Sequence, residues 1–346
     1  MFGTMRLTLG QRLRLSRGAL VYTAVDRAAH ALARLRYALP DAQPERHNVL
    51  LEPDVPYSTS RTSRSHHHRL DIYVPMRASR PLPVVMYVHG GAFASLSKDT
   101  HRVMALAIAR RGYLVFNVNY RQGLRHPYPA PLSDVSEALL WVSANADRFG
   151  GDPGRLAIAG ESAGGNLVTA LAVMQSKRFA EPFARRVYDA NIRLRAVVST
   201  YPYLDLGDRY ETHPRLAFWY KTALFDAASS YLGHRVFAAD HDALASPLRI
   251  LETGFEPDAS RPLPPFFIAC GSRDPFLAQC RRLKEALDRL ETPAELFVAP
   301  GEIHAFDAMV WRAPARAKWR ATHAFLARNL DLKPRPAAHA STAASG

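Results

Sequence analysis

Ser162 lies in Gly160-Glu-Ser-Ala-Gly164, a serine with a glycine two residues away on either side, and its flanks say as much as the pentapeptide. Leu156 to Ala159 form a short apolar run of strand type, while Asn166 to Met174 reads as a helix. Strand, sharp turn and helix match the nucleophile elbow, in which the serine adopts a strained backbone that pushes its hydroxyl outward. The glycines leave room for strand and helix to approach each other at the turn. A serine hydroxyl is a weak nucleophile until a base takes its proton and a third group orients the base. A Gly-rich turn with an idle serine has the same pattern, so partners elsewhere in the chain decide between the two.

Such partners need a scaffold, and the chain supplies an alternating one. Pro83-Val-Val-Met-Tyr-Val88 is a continuous apolar run of the kind buried in a parallel sheet. Two polar-flanked strands precede it, His47 to Glu52 and Leu70 to Val74, joined by a loop over 58–68. After it the pattern predicts helix 100–111, strand Leu114 to Asn119, helix Leu132 to Arg148, the elbow strand, helix 163–176 and strand Ala196 to Thr200. Strand Pro265 to Cys270, helix Phe276 to Leu290, strand Glu295 to Val298 and helix Ala315 to Leu330 complete the series. The expected fold is therefore α/β, a doubly wound, mostly parallel sheet with helices on both faces.

In such a sheet the chemistry gathers beyond the carboxyl ends of the strands. Asp274 follows the strand that ends at Cys270, and His304 follows the one that ends at Val298. His89-Gly90-Gly91 follows the strand expected beside the elbow and offers backbone N–H groups unblocked by side chains. The predicted catalytic set is Ser162, Asp274 and His304, with the N–H groups of Gly90, Gly91 and Ala163 as the oxyanion hole. Asp274 is also well placed to cap the helix near Phe276. Asp258 and Glu302 are fallback acids, and His89 reads as a loop-shaping side chain rather than a base. Three adjacent histidines, His66 to His68, cannot converge on one ion from a strand, because neighbouring side chains point to opposite faces. No metal and no organic cofactor is expected.

Several of these segments together resemble the hormone-sensitive-lipase-like group of α/β-hydrolases. They are His89-Gly-Gly, Asn119-Tyr-Arg121, His126-Pro-Tyr-Pro129, Gly151-Asp-Pro153, Gly160-Glu-Ser-Ala-Gly-Gly-Asn-Leu167, Asp274-Pro275 and His304-Ala-Phe306. The resemblance covers roughly residues 70 to 330 and agrees with the chain order Ser, Asp, His. It implies a carboxylic-ester hydrolase of the esterase/lipase type with a catalytic triad and a helical cap built from the N-terminus and an insertion. The chain departs from the group at Ala92, where a third glycine is usual; alanine keeps its N–H but loses easy access to φ > 0. Two rival readings stand beside the esterase: an amidase or formamidase, since one site attacks either carbonyl, and a catalytically silent ligand-binding member of the fold.

Composition bounds the rest. With 346 residues and 48% apolar content the chain can bury a large core, and no run of 18 uninterrupted apolar residues spans a membrane. Cys270 and Cys280 make neither a disulfide framework nor a metal set, which favours a reducing, cytoplasmic setting. The net charge of +14 sits at the ends: residues 1–40 carry seven Arg against one Asp, and residues 312–346 carry seven Lys and Arg against one Asp. A near-neutral centre with basic ends does not resemble a nucleic-acid groove. It admits peripheral contact with an anionic membrane.

Residues 1–40 form a basic amphipathic helical unit in which Leu13, Leu20, Val21, Val25, Ala28, Leu32 and Leu35 recur at helical spacing. The apolar run Gly18 to Val25 is too short and lacks a small-residue cleavage site, which rejects a signal peptide. A mitochondrial-type presequence, a cap over the site and a membrane-surface helix all fit the composition. Residues 41–332 are the expected catalytic domain, with an aromatic insertion at about 202–262 that would cap the site and select small to medium-sized uncharged esters. Residues 333–346 read as a disordered tail.

Overall fold

The computed structural model describes residues 8–58, 66–207, 217–237 and 243–331. Within them one eight-stranded sheet runs in the spatial order β1 (Val49–Pro56), β2 (Arg69–Pro75), β4 (Leu114–Val118), β3 (Leu82–Val88), β5 (Gly151–Glu161), β6 (Leu194–Thr200), β7 (Phe266–Gly271) and β8 (Ala294–Ala299). β2 pairs antiparallel with both β1 and β4, and every other pairing is parallel. The parallel strands read as unbroken apolar runs because both faces are covered. Val84, Met86 and Ile158 pack under α3 (Ala130–Asn145), α4 (Ala163–Ser176) and α8 (Leu277–Arg289). Val85, Tyr87, Ala157 and Phe267 pack with α2 (Arg102–Ala109) and α9 (Ala313–Asn329) on the opposite face. Alternate residues of one strand thus serve two cores, as a period of two requires.

The doubly wound sheet is the one the sequence predicts, with β3 beside β5 in a register that sets Val88 against Gly160. Two short helices were not foreseen, α5 (Pro182–Asp189) and α7 (Pro247–Glu252), and β5 begins at Gly151. β5 starts early because Gly151 and Asp152 pair with Leu82 and Pro83 ahead of a register shift. His66–His68 form a 3-10 turn leading into β2; the rest of the predicted loop, at 59–65, lies outside the described residues, as do the whole tail at 333–346 and Arg6. No helix among the described residues is long and apolar enough to cross a membrane.

The N-terminal unit is one helix, α1 (Leu9–Tyr37), opened by a capping box between Thr8 and Gln11. It lies along α6 (Phe218–Leu232), the main helix described within the insertion. Arg17 pairs with Asp226 at 2.9 Å, and the Tyr22 hydroxyl donates to the Ala223 carbonyl at 3.0 Å. Gly18 makes the close approach possible, since a Cβ there would stand 3.1 Å from the Asp226 side chain. The apolar stripe of α1 does not face the protein. Its inward residues are Gly18, Tyr22, Asp26, Ala29 and Ala33, while the leucines of the apolar stripe face outward.

Candidate active site

β5 ends at Glu161 and α4 begins at Ala163, so the chain reverses at Ser162 alone, with φ 55° and ψ −117°. A non-glycine residue in that region is held only by surrounding structure. Here the Ser162 N–H donates to the Thr200 carbonyl at 2.9 Å and its carbonyl accepts from Asn166 N–H at 3.1 Å. Asn166 in turn donates its side-chain amide to the carbonyls of Tyr203 and Ala245. The flanking glycines serve space: a Cβ on Gly164 would stand 2.1 Å from the Val88 carbonyl oxygen, and one on Gly160 would stand 2.6 Å from that of Gly164.

Three of the predicted residues meet at this turn. His304 Nε2 stands 3.1 Å from Ser162 Oγ, and His304 Nδ1 stands 2.8 Å from Asp274 Oδ2. The Asp274 side chain is fully buried; its other oxygen accepts the Phe276 N–H at 2.9 Å, so the carboxylate both orients the imidazole and shapes the entry to α8. Tyr201 and Phe276 pack edge-on against the His304 ring at centroid distances of 4.6 and 5.2 Å. The fallback acids are engaged elsewhere, Asp258 with the Tyr188 hydroxyl and Glu302 with Arg312. Tyr201 donates to Asp307 at 2.5 Å, and Asp307 pairs with buried Lys318 at 2.7 Å, which fixes the segment beyond His304 from behind.

The glycine loop after β3 divides its donors in a way the sequence did not reveal. Gly90 N–H donates to Glu161 Oε1 at 2.5 Å and therefore does not face the serine hydroxyl as a free donor. Glu161 also accepts from the Tyr87 hydroxyl and lies 2.9 Å from His101 Nε2. The N–H groups of Gly91, Ala92 and Ala163 have no hydrogen-bond partner among the described residues. Of the three N–H groups expected as oxyanion donors, those of Gly91 and Ala163 are therefore unengaged among the described residues, that of Gly90 is taken up by Glu161, and that of Ala92 is unengaged as well. Ala92 adopts φ 57° despite its Cβ, followed by Phe93 at 60°. The turn is secured from above, where Ser230 on α6 donates to the Ala92 carbonyl at 2.7 Å and Phe93 stacks on Tyr231 at 4.0 Å.

Charges around this loop are strongly placed. His89 is buried, bonds through Nδ1 to the Gly90 carbonyl and stacks on Tyr120 at 4.4 Å. Burial, then the neighbouring His101, lowers its pKa to about 3, so the ring stays neutral and shapes the loop as expected. Burial pushes the His101 pKa down, but the Glu161 carboxylate beside it more than offsets this, and the net shift is upward. The far end of the loop is anchored by Lys98, buried and paired with Asp71 at 2.8 Å and Asp54 at 2.9 Å. α1 holds the same stretch: Asp26 accepts the Leu96 N–H at 2.7 Å, and His30 meets the Ser97 hydroxyl at 2.9 Å. A polar cavity of about 480 Å³ opens beside this anchor, lined by Asp26, His30, His67, Lys98 and Gln122 among others, but neither Ser162 nor His304 borders it.

Of the insertion's aromatic residues, Tyr203 and Tyr231 are core, Tyr220 is partly buried, and Phe218 and Trp219 are exposed. Burial, followed by the charge of Asp274, pushes the Tyr220 pKa up to about 12. The side chain of Phe237 lies outside the described residues.

Sheet order, elbow and helical layers define an α/β hydrolase. The chain belongs to that family: a family model described as alpha/beta hydrolase fold matches residues 85–308. Carboxylesterase NlhH of Mycobacterium tuberculosis is 37% identical over 162 residues, 44% of this chain and 47% of that protein. Esterase LipC of the same organism is 30% identical over 238 residues, 67% of this chain and 55% of its own length. The chain thus spans about half the length of these curated relatives. Among solved structures, esterase LipW from Mycobacterium marinum aligns with a TM-score of 0.70 at 26% identity, covering 89% of this chain and 90% of that one.

Proposed function

We propose that this protein hydrolyses carboxylic esters through an acyl-enzyme intermediate on Ser162. The observation that carries the reading is the position of His304, within hydrogen-bond distance of both Ser162 Oγ and buried Asp274. In this scheme His304 Nε2 takes the Ser162 proton as Oγ attacks the ester carbonyl. Asp274 holds Nδ1–H, fixing the useful tautomer and stabilising the imidazolium. The oxyanion forms against the N–H groups of Gly91, Ala92 and Ala163; one such donor is worth about 3 to 4 kcal/mol of barrier. His304 then returns its proton to the leaving alcohol, and water activated by the same imidazole releases the acid.

Relatives named carboxylesterase and esterase support the reaction class. Small to medium-sized uncharged esters fit the surroundings, since Tyr201 and Phe276 are aromatic neighbours of the cluster. α1 and α6 act as the lid, joined to the oxyanion loop through Leu96, Ser97 and Ala92. The test is a panel of nitrophenyl esters of rising acyl length set against aryl formamides. Turnover of the short and medium esters with little formamide cleavage is the expected result; formamide turnover exceeding that of every ester would replace the reading with an amidase.

A further inference from the structure

We infer that the outward face of α1 is a docking surface for an anionic lipid bilayer. Leu9, Leu13, Leu20, Leu32 and Leu35 are each between 62% and 75% exposed, and Val21 and Val25 stand among them. They share the side of the helix opposite the residues that touch the protein, so packing within the chain gives no reason for them. A helix of 29 residues with this much outward apolar surface has the proportions of one lying in a membrane interface. α6, packed alongside, itself exposes Phe218 at 83% and Trp219 at 67%. Aromatic residues of that kind favour the level of lipid headgroups.

Charge decides what covers this face. Arg12, Arg27 and Arg34 are exposed and have no ion-pair partner among the described residues. The one acid of α1, Asp26, is engaged inward with the Leu96 N–H. A second copy packed face to face would bring guanidinium groups together with no carboxylate to meet them. Lipid phosphates supply the missing negative charge while the acyl region takes the leucines. The basic C-terminal segment is less free, because Arg312, Lys318 and Arg328 are paired with Glu302, Asp307 and Glu295. The surface stands on these exposures and does not depend on the esterase reading.

Sedimentation of the full chain with vesicles tests it. Binding is expected to phosphatidylcholine mixed with phosphatidylglycerol, to weaken with added salt, and to be small with phosphatidylcholine alone. A Leu20→Glu/Leu32→Glu/Leu35→Glu variant alters exposed positions only; its far-ultraviolet circular dichroism should match the parent, and its vesicle affinity should fall by about tenfold or more. An Arg12→Glu/Arg27→Glu/Arg34→Glu variant should lose the preference for anionic lipid. Failure of the parent chain to sediment with anionic vesicles overturns the proposal whatever the variants do. So does retention of full binding by both variants, which would place the contact elsewhere. Light scattering showing a parent dimer that the leucine variant dissociates, with no vesicle binding, would assign the face to a second copy instead.

Discussion

One carboxylate oxygen of Glu161 accepts the N–H of Gly90 at 2.5 Å, tying the residue before the proposed nucleophile to the first glycine of the facing loop. The same carboxylate meets Tyr87 and His101, so a single buried acid ties the elbow to the glycine loop. Glu161→Gln keeps the shape but removes the charge. It should lower kcat on the order of 10- to 100-fold with little change in KM, as expected for a small misplacement of donors. Glu161→Ala leaves buried partners unpaired and should cost about 3 to 5 kcal/mol in urea unfolding. Steady-state kinetics and denaturation curves on the two variants separate positioning from stability.

The histidines impose a pH dependence on folding with opposite signs. His101 has a raised pKa in the fold, so its contribution is complete below the unfolded value near 6.5 and is lost as pH rises through the folded value. His89 and His323 are lowered to about 3, His323 by burial and then Arg111, Lys318 and Arg110. Below about pH 6.5 the unfolded chain binds protons that these folded histidines refuse, so stability falls on acidification by up to about 1.4 kcal/mol per pH unit for each. His323→Phe, which also removes a buried Nδ1 with no hydrogen-bond partner, should flatten the acid limb of urea midpoints.

Asp274→Asn should retain the fold, because Oδ1 can still accept the Phe276 N–H. It presents the wrong hydrogen-bonding partner to His304 Nδ1, and kcat should drop on the order of 10⁴-fold. Circular dichroism together with ester kinetics checks both halves.

Neighbouring positions in the glycine loop should respond in opposite directions. Gly91 has φ 113°, and a Cβ there would stand 2.1 Å from the Ser95 carbonyl oxygen. Gly91→Ala should cost on the order of 100-fold in kcat by moving the loop. Ala92 already carries its Cβ at φ 57°, so Ala92→Gly relieves left-handed strain and should add about 1 kcal/mol of stability. Ester kinetics on Gly91→Ala and thermal unfolding of Ala92→Gly measure the contrast.

Sheet, elbow and cluster were legible because each leaves a local mark. Ser162 sits in a strand-turn-helix pattern, and Asp274 and His304 follow apolar strands whose ends the rhythm of the chain locates. The Glu161 network left none: Tyr87, Gly90, His101 and Glu161 come from separate segments and meet only once β3 lies beside β5. Periodicity likewise located α1 but could not tell which side faces the protein, because its inward residues are mostly small or polar while Leu9, Leu13, Leu20, Leu32 and Leu35 lie outside. Ala92 shows the limit of propensity, since Ser230 and Tyr231 hold the turn in a conformation alanine seldom takes.

The most direct test of the central claim is stoichiometric labelling with a fluorophosphonate, followed by peptide mass spectrometry. One adduct per chain on Ser162 is expected, with labelling slowed on the order of 10³-fold or more in His304→Ala. A folded parent chain that stays unlabelled at Ser162, or one whose labelling rate is the same without the imidazole, would contradict the proposed mechanism.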